Sequence, residues 1–210
     1  MICIEGHTID ETLLKQDSIV VDVGTNNGLF AQTMVEKCGA FVECYEPDLH
    51  MFLTLSANFL HDHLKVHQRA VAAHSGIREF YCASPCNLGN SLFSTHQTFV
   101  ESQSPRKTVY KVFAVSLESI IRSLRHIDLL KLDCEGAEIE ILLETPADAL
   151  RRVEQLSVEF HKFCIPEHSL DLIEKVFCRL HSLGFDGPKD PSQVDLEDCL
   201  FVRPEARLFV

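Results

Sequence analysis

Residues 19–30 constrain the fold of this chain more than any other stretch. The run Ile19–Val23 is apolar and rich in β-branched residues, which predicts a buried strand. It ends at a turn containing Gly24 and Gly28, residues that permit a tight backbone turn, and a helical pattern follows. Strand, glycine-rich turn and helix are typical of the first unit of a nucleotide-binding α/β domain, where N–H groups at the helix start face the ligand.

The spacing within this turn excludes two common nucleotide sites. No Lys-Ser or Lys-Thr pair follows the glycines, so the turn is not a P-loop. The three-glycine dinucleotide pattern also fails, because Asn26 and Asn27 occupy its middle. Asp22 ends the strand, where a carboxylate would repel a pyrophosphate but could pair with an ammonium group. We therefore expect a cationic nucleoside without phosphates, a description that S-adenosylmethionine (SAM) fits.

Composition narrows the class of protein. The chain has 210 residues and no apolar run long enough to span a bilayer, which predicts one soluble domain over residues 1–210 without a membrane partner. A net charge of −12 disfavours a nucleic-acid partner. Residues 1–17 are acidic and lack the pattern of a signal peptide. The nine scattered cysteines include no C-x-x-C pair and suit reduced thiols, so we expect a cytoplasmic protein.

Strand and helix patterns alternate along most of the chain. Core strands are expected at residues 18–23, 40–45, 66–72, 127–132 and 153–160, with helices at 27–37, 49–60, 137–143 and 170–183. This alternation predicts a Rossmann-like, doubly wound and mostly parallel α/β sheet. Residues 1–17 are expected to form a short arm or helix, and residues 199–202 and 207–210 an antiparallel edge. Polar residues that end the strands should converge on one site.

The alternation breaks in the middle of the chain. Residues 77–82 and 109–115 read as strands, and residues 77–82 as part of a hairpin. Residues 83–107 are polar, contain Pro85, Gly89 and Pro105, and show no clear period. A loop this long inside a compact domain is usually functional. We expect it, together with the N-terminal arm, to cover the cofactor and set the choice of acceptor.

Acidic residues follow three of the predicted strands. Glu46 ends the second strand, where a ribose-binding acid is expected roughly 20 residues beyond the turn. The alternative is a purely structural acid before a helix opened by Pro47. Lys131, Asp133 and Glu135 share one face at the end of the fourth strand, as Glu159 and His161 do at the end of the fifth. Such a group could activate a hydroxyl or hold a divalent cation, although Glu135 and Glu138 also suit a helix start.

Four segments together resemble one known family. They are Val21-Asp22-Val23-Gly24-Thr25-Asn26-Asn27-Gly28, Tyr45-Glu46-Pro47, Gly89-Asn90-Ser91-Leu92 and Leu130-Lys131-Leu132-Asp133-Cys134-Glu135-Gly136-Ala137-Glu138. They are similar to the motifs of FkbM-type methyltransferases, which have the class I SAM-dependent fold. Thr25 departs mildly from the family's usual small residue. The family mostly methylates hydroxyl groups of sugars, polyketides and related metabolites, so the resemblance implies an O-methyltransferase with a small-molecule or glycan acceptor.

These observations lead to a prediction for each site residue. The expected cofactor-binding residues are Asp22, Gly24, Thr25, Asn26, Gly28, Glu46, Pro47 and Asp133, and the expected catalytic residues are Asp133, Glu135 and His161. Two alternatives remain open, namely a catalytically silent SAM-binding partner subunit and a nicotinamide-dependent oxidoreductase. The second is disfavoured by Asn26 and Asp22.

Two ways of activating the acceptor are compatible with these residues. His161 or Asp133 could remove the proton directly, or Asp133, Glu135 and His161 could hold a divalent cation. We favour the direct route, because acids at a helix start are often explained without a metal. If a cation binds, its oxygen-rich ligands would select magnesium or calcium over zinc.

Overall fold

A computed structural model describes residues 1–59, 61–124 and 126–204. Its strands are β1 (Ile2–Ile4), β2 (His7–Ile9), β3 (Ile19–Val23), β4 (Phe41–Tyr45), β5 (Leu64–His67), β6 (Ala70–Ala72), β7 (Gly76–Cys82), β8 (Thr108–Ser116), β9 (Ile127–Leu132), β10 (Val153–Val158) and β11 (Cys199–Val202). Its α-helices are α1 (Leu29–Cys38), α2 (Leu49–Asn58), α3 (Gln97–Glu101), α4 (Leu117–Leu124), α5 (Glu138–Glu144), α6 (Ala147–Leu150) and α7 (Leu170–Ser182). Among the described helices, none is both long and apolar enough to cross a membrane.

The central sheet has six strands in the order β11-β10-β9-β3-β4-β5. The five strands from β10 to β5 are parallel, and β11 joins β10 antiparallel at the edge. This confirms the predicted α/β class and its antiparallel edge. The chain leaves β3 toward β4 and β5, and later returns to the other side of β3 through β9 and β10. The strand order therefore reverses between β3 and β9.

The core lies on both faces of this sheet. Every residue of β9 is buried, as expected for a central parallel strand covered on two sides. Val21 and Leu130 pack with the helices α4 to α7 on one face, whereas Val20 and Leu129 pack with α1 on the other. Burial of side chains of this size stabilises the fold by about 1.5–3 kcal/mol each, so the sheet is a rigid base for the residues at its ends.

A three-stranded sheet interrupts the alternation, in the order β6-β8-β7. The prediction of one strand over residues 66–72 was wrong, because β5 pairs with β4 while β6 pairs with β8. The polar pair Gln68 and Arg69 separates the two short strands, and the chain changes sheets there. The strands predicted at residues 77–82 and 109–115 are present as β7 and β8, which pair antiparallel. They do not form the predicted hairpin, because the irregular segment with α3 inside it joins them.

The N-terminal residues differ from the expected arm or helix. The strands β1 and β2 form a hairpin around Glu5 and Gly6, both of which have positive φ angles, of 51° and 83°. Such a turn matches the twist of the strands that it joins. The hairpin is tied to the rest of the fold, since Thr8 donates to Asp198 and the N–H of Asp10 donates to Gln155. The predicted strand at residues 207–210 and the predicted helix end at Leu60 lie outside the described residues.

Candidate active site

The turns that follow β3 and β9 touch at the point where the strand order reverses. Gly24, the first residue after β3, has a φ of 76°, and a Cβ atom added to it would lie 1.6 Å from the carbonyl oxygen of Asp133. A side chain at this position would separate the two strand ends, so glycine permits the close approach. In sheets of this kind a ligand binds beyond the carboxyl ends of the strands, at this reversal.

Glu46 occupies the end of the neighbouring strand β4. Its Oε2 accepts a hydrogen bond from the N–H of Asn26 at 2.9 Å, and its Oε1 accepts one from the N–H of Asp48 at 2.8 Å. Burial raises the pKa of Glu46 to about 7, although these two backbone bonds act in the opposite direction. Each carboxylate oxygen keeps a further lone pair, which a ligand hydroxyl could use.

A cleft of about 630 Å³, counting its open mouth, lies beside these residues. Its polar lining comes from the ends of β3, β4 and β9, and its apolar lining from the three-stranded sheet and the loops around it. The lining residues are Val23, Gly24, Asn26, Tyr45, Glu46, Pro47, Asp48, Met51, Ala70, Val71, Phe80, Asn87, Leu88, Asn90, Leu92, Asp133, Cys134 and Glu135. An apolar lining with a few polar groups at strand ends is typical of a small-molecule site.

The irregular segment 83–107 forms one wall of the cleft, and two of its residues anchor it. The amide nitrogen of Asn90 donates to Asp48 Oδ2 and to the carbonyl oxygen of Ser84, each at 2.9 Å. The Ser91 hydroxyl donates to the carbonyl oxygen of Glu135 at 2.6 Å. Asn90 and Ser91 are both buried. The segment is thus fixed to the ends of β4 and β9, which places its tip over the cleft.

Lys131 links the carboxylates behind the turn. Its Nζ lies 3.1 Å from Asp22 Oδ1, 3.1 Å from Asp133 Oδ2 and 3.0 Å from the carbonyl oxygen of Gly24. Burial alone would lower the pKa of Lys131, but Asp133 and Asp22 outweigh it and raise that pKa. The expectation that Asp22 pairs with a ligand ammonium group is therefore corrected: Asp22 is fully buried and its partner is Lys131. The carboxylates that line the cleft beyond β9 are those of Asp133 and Glu135.

His161, at the end of β10, is surrounded by carboxylates. Its Nε2 lies 3.3 Å from Glu159 Oε1, 3.4 Å from Glu135 Oε2 and 3.6 Å from Asp133 Oδ1. Its Nδ1 lies 3.1 Å from Glu138 Oε1, which also accepts the N–H groups of Cys134 and Gly136. The structure therefore brings the three predicted catalytic side chains together, and it assigns Glu138 to holding the imidazole.

The electrostatics of this group argue against direct removal of a proton. Burial alone would lower the pKa of His161, but the carboxylates, Glu138 first, outweigh it and raise that pKa well above its usual value. A protonated imidazole has no lone pair with which to take a proton. Burial would raise the pKa of Asp133, but Lys131 and the nearby histidines hold it below its usual range, which makes Asp133 a weak base.

Two histidines of this region escaped the sequence analysis. His7, on β2, is buried, and its Nε2 lies 3.5 Å from Asp133 Oδ2. His96, just before α3, is also buried, and its Nε2 lies 2.9 Å from Glu135 Oε2. Both come from segments that lie far from Asp133 and Glu135 in sequence. The Glu5-Gly6 pair could have predicted the N-terminal hairpin, but it does not predict which residues His7 contacts.

The sequence matches the family described as "Methyltransferase FkbM domain" over residues 22–186, which is most of the chain. This chain belongs to the FkbM methyltransferase family. A search of curated proteins found no match. Among solved structures, the FkbM domain resembles the fibrillarin pre-rRNA processing protein of Methanococcus jannaschii, with a TM-score of 0.51 and 10% identity over 93% of this chain and 70% of that one. This likeness supports the class I methyltransferase fold alone.

A second solved structure resembles the FkbM domain more distantly. It is a chain from the complex between the Haloferax volcanii Trm112 methyltransferase activator and a methyltransferase described there as putative. The TM-score is 0.41 and the identity 11%, over 87% of this chain and 68% of that one.

The remaining motif residues of this FkbM domain support the turn. The Thr25 hydroxyl donates to the carbonyl oxygen of Asp22 at 3.0 Å and is buried, so it stabilises the turn from within. Gly28 has a φ of 80°, and a Cβ there would lie 2.6 Å from the side chain of Leu55, so it permits α1 to pack close to α2. Pro47 lines the cleft beside Glu46. Thr25 and Gly28 therefore shape the site, whereas Asn26, Glu46 and Pro47 face it.

Proposed function

We propose that this chain is a SAM-dependent O-methyltransferase that acts on a hydroxyl group of a small molecule or glycan. The observation that carries the proposal is the position of Glu46. Its carboxylate lies against the glycine turn and opens into a cleft whose other end holds Asp133 and Glu135. A nucleoside with a charged amino-acid tail has the matching polarity.

Each part of the cofactor has a suitable partner in the cleft. The ribose hydroxyls would donate to Glu46, in charge-assisted bonds that are stronger than neutral ones. Adenine would lie against apolar side chains such as Met51, Val71 and Phe80. The ammonium group of the methionine part would meet Asp133 or Glu135. The sulfonium group would then point toward the cluster of Asp133, Glu135 and His161.

The acceptor hydroxyl would bind at that cluster. Methyl transfer from a sulfonium is an in-line displacement, so the protein contributes chiefly by holding the acceptor oxygen behind the methyl group. Carboxylates accept the hydrogen bond of a hydroxyl and so orient its oxygen. Segment 83–107 supplies the adjacent wall and is proposed to select the acceptor, together with the N-terminal hairpin that carries His7.

Isothermal titration with S-adenosylhomocysteine (SAH) and with NAD tests the cofactor assignment. We expect SAH to bind and NAD to bind far more weakly, because the turn carries no pyrophosphate site. Glu46→Gln should weaken SAH binding by about 1–3 kcal/mol, the scale of hydrogen bonds to a charged group. Glu144→Gln, an exposed acid on α5, is the matched control and should bind as the unmodified protein does. Equal affinity for NAD would refute the proposal.

The type of acceptor needs a separate test. Radiolabelled methyl groups from SAM should be transferred to hydroxyl-bearing small molecules or glycans, and the product should resist mild alkali. Methyl ethers survive alkali, whereas methyl esters of carboxylic acids are hydrolysed. Loss of the label in alkali would show that the acceptor is a carboxyl group. The proposed methylation of a hydroxyl group would then be wrong.

A further inference from the structure

Asp133, Glu135 and His161 have a spacing that suits metal ligands better than hydrogen bonds. The His161 Nε2 lies 3.4 Å from Glu135 Oε2 and 3.6 Å from Asp133 Oδ1, and the three ligand atoms all lie within 4.8 Å of one another. Charge-assisted hydrogen bonds between nitrogen and a carboxylate are shorter, at about 2.7–2.9 Å. Ligand atoms held about 2.1 Å from a shared cation are separated by roughly 3.0–3.4 Å. The distance of 3.4 Å falls at the upper end of that range, and the distance of 3.6 Å lies just above it.

Each of these side chains is also held by an outer partner. The Nδ1 of His161 faces Glu138 Oε1 at 3.1 Å, so its proton can stay bonded to Glu138 while a cation displaces the proton from Nε2. Glu138 is fully buried and fixed by two backbone N–H groups, those of Cys134 and Gly136. Imidazole ligands of metals are typically oriented in this way, by a carboxylate on the other ring nitrogen.

The two carboxylates have comparable support. The N–H of Thr98 donates to Nδ1 of His96, so the ring proton of His96 lies on Nε2. His96 Nε2 then donates to Glu135 Oε2, at a distance of 2.9 Å. Lys131 contacts Asp133 through Oδ2, which leaves Oδ1 toward His161. Carboxylates that bind metals are typically held by such hydrogen bonds.

We propose that Asp133 Oδ1, Glu135 and His161 Nε2 bind a divalent cation. Two carboxylates and one imidazole favour Mn²⁺ or Mg²⁺, which prefer oxygen ligands and retain waters in their remaining positions. Asp133 and Glu135 line the cleft, so those positions face the bound acceptor. If the proposed methyl transfer is correct, the cation would lower the pKa of the acceptor hydroxyl and orient its oxygen.

A second group nearby is the natural comparison. His7, Asp133 and Glu159 also bring ligand atoms within 4.8 Å of one another. This group uses Asp133 Oδ2, however, and the ammonium group of Lys131 already lies 3.1 Å from that oxygen. A divalent cation there would be repelled by a fixed positive charge. The cation site is therefore assigned to Asp133 Oδ1, the oxygen that Lys131 does not contact.

Electron paramagnetic resonance of Mn²⁺ tests the assignment without cofactor or turnover. The full chain is freed of metal with a chelator, and loss of the free Mn²⁺ signal is followed on titration. We expect one equivalent to bind, with Mg²⁺ as a competitor. His161→Ala and Glu135→Gln should each weaken binding by about 10-fold or more, the scale of losing a ligand or its support. Glu135→Gln is nearly isosteric, and far-ultraviolet circular dichroism checks that both variants fold.

The matched variant is His7→Ala, which removes a histidine that lies beside the other oxygen of Asp133. It should retain Mn²⁺ affinity within about 3-fold, a small part of the effect expected for a ligand. Absence of Mn²⁺ binding would overturn the proposal, and so would a larger loss in His7→Ala than in His161→Ala. SAH titration of the same metal-free protein keeps the two proposals apart. SAH binding without Mn²⁺ binding refutes only the cation site, and the reverse result refutes only the cofactor.

Discussion

Glu46 would link the proposed binding of the cofactor to pH, because its carboxylate is buried beside the glycine turn. Its buried carboxylate has a pKa raised to about 7, so the unliganded protein holds it partly protonated near neutrality. The ionised form is the better acceptor for two ribose hydroxyls. The pKa in the folded state lies above that of the unfolded chain, so the contribution of Glu46 to stability is present at low pH and is lost as pH rises through about 7.

Binding of SAH should therefore release a proton from Glu46. At pH 6.5 we expect the release of about half a proton or more per SAH bound, measured by titration calorimetry in two buffers with different heats of ionisation. Affinity should rise between pH 6 and 8 and then level off. Glu46→Gln should bind more weakly and without this pH dependence. Proton release of the same size in Glu46→Gln would show that another group is responsible.

At the scale of single elements, local patterns predicted the parallel strands well. The strand β9 agrees with its prediction at both ends, although Asp128 and Lys131 interrupt its apolar residues. Gly39, the residue that follows α1, ends the helix in a left-handed conformation. The division of residues 64–72 between two sheets was not predictable, since pairing with β8 is a long-range contact. The sequence indicated Asp133, Glu135 and His161 because they follow predicted strands. It did not indicate His7 or His96, because their contacts with Asp133 and Glu135 are also long-range.

Segment 83–107 should become more protected when SAH binds. Hydrogen exchange is expected to slow at residues 87–92, which line the cleft, and less at α3, which lies beyond it. Asn90→Ala removes the bonds to Asp48, Ser84 and the N–H of Ala83, so exchange in the unliganded protein should accelerate there. Gln97→Ala, an exposed change within the same segment, is the control. Equal exchange with and without SAH would make the segment an ordinary surface loop.

At the scale of the whole molecule, the site depends on how closely two halves of the sheet approach. The half that runs from β3 to β5 carries the glycine turn and Glu46, and the half formed by β9 and β10 carries Asp133, Glu135 and His161. Lys131 joins the two halves through its ion pair with Asp22. Gly24 lets the halves approach each other closely, because it has no side chain. A cofactor across this junction would contact both halves at once, so the junction sets the distance between cofactor and acceptor.

Gly24→Ala tests this junction, with Gly184→Ala as its control. Both glycines have positive φ angles, of 76° and 92°, so both substitutions carry the cost of a left-handed alanine, about 1–2 kcal/mol. A Cβ on Gly184 meets no atom within 4 Å among the described residues, whereas one on Gly24 would lie 1.6 Å from the carbonyl oxygen of Asp133. Urea unfolding should therefore show a loss of stability in Gly24→Ala that exceeds the loss in Gly184→Ala by about 1–3 kcal/mol, the usual cost of overpacking. Gly24→Ala should also lose SAH affinity, because relief of the clash moves β3 away from β9, while Gly184→Ala should keep it. Equal losses of stability in the two variants would mean that the strand ends can separate without cost, and the junction would then not fix the site.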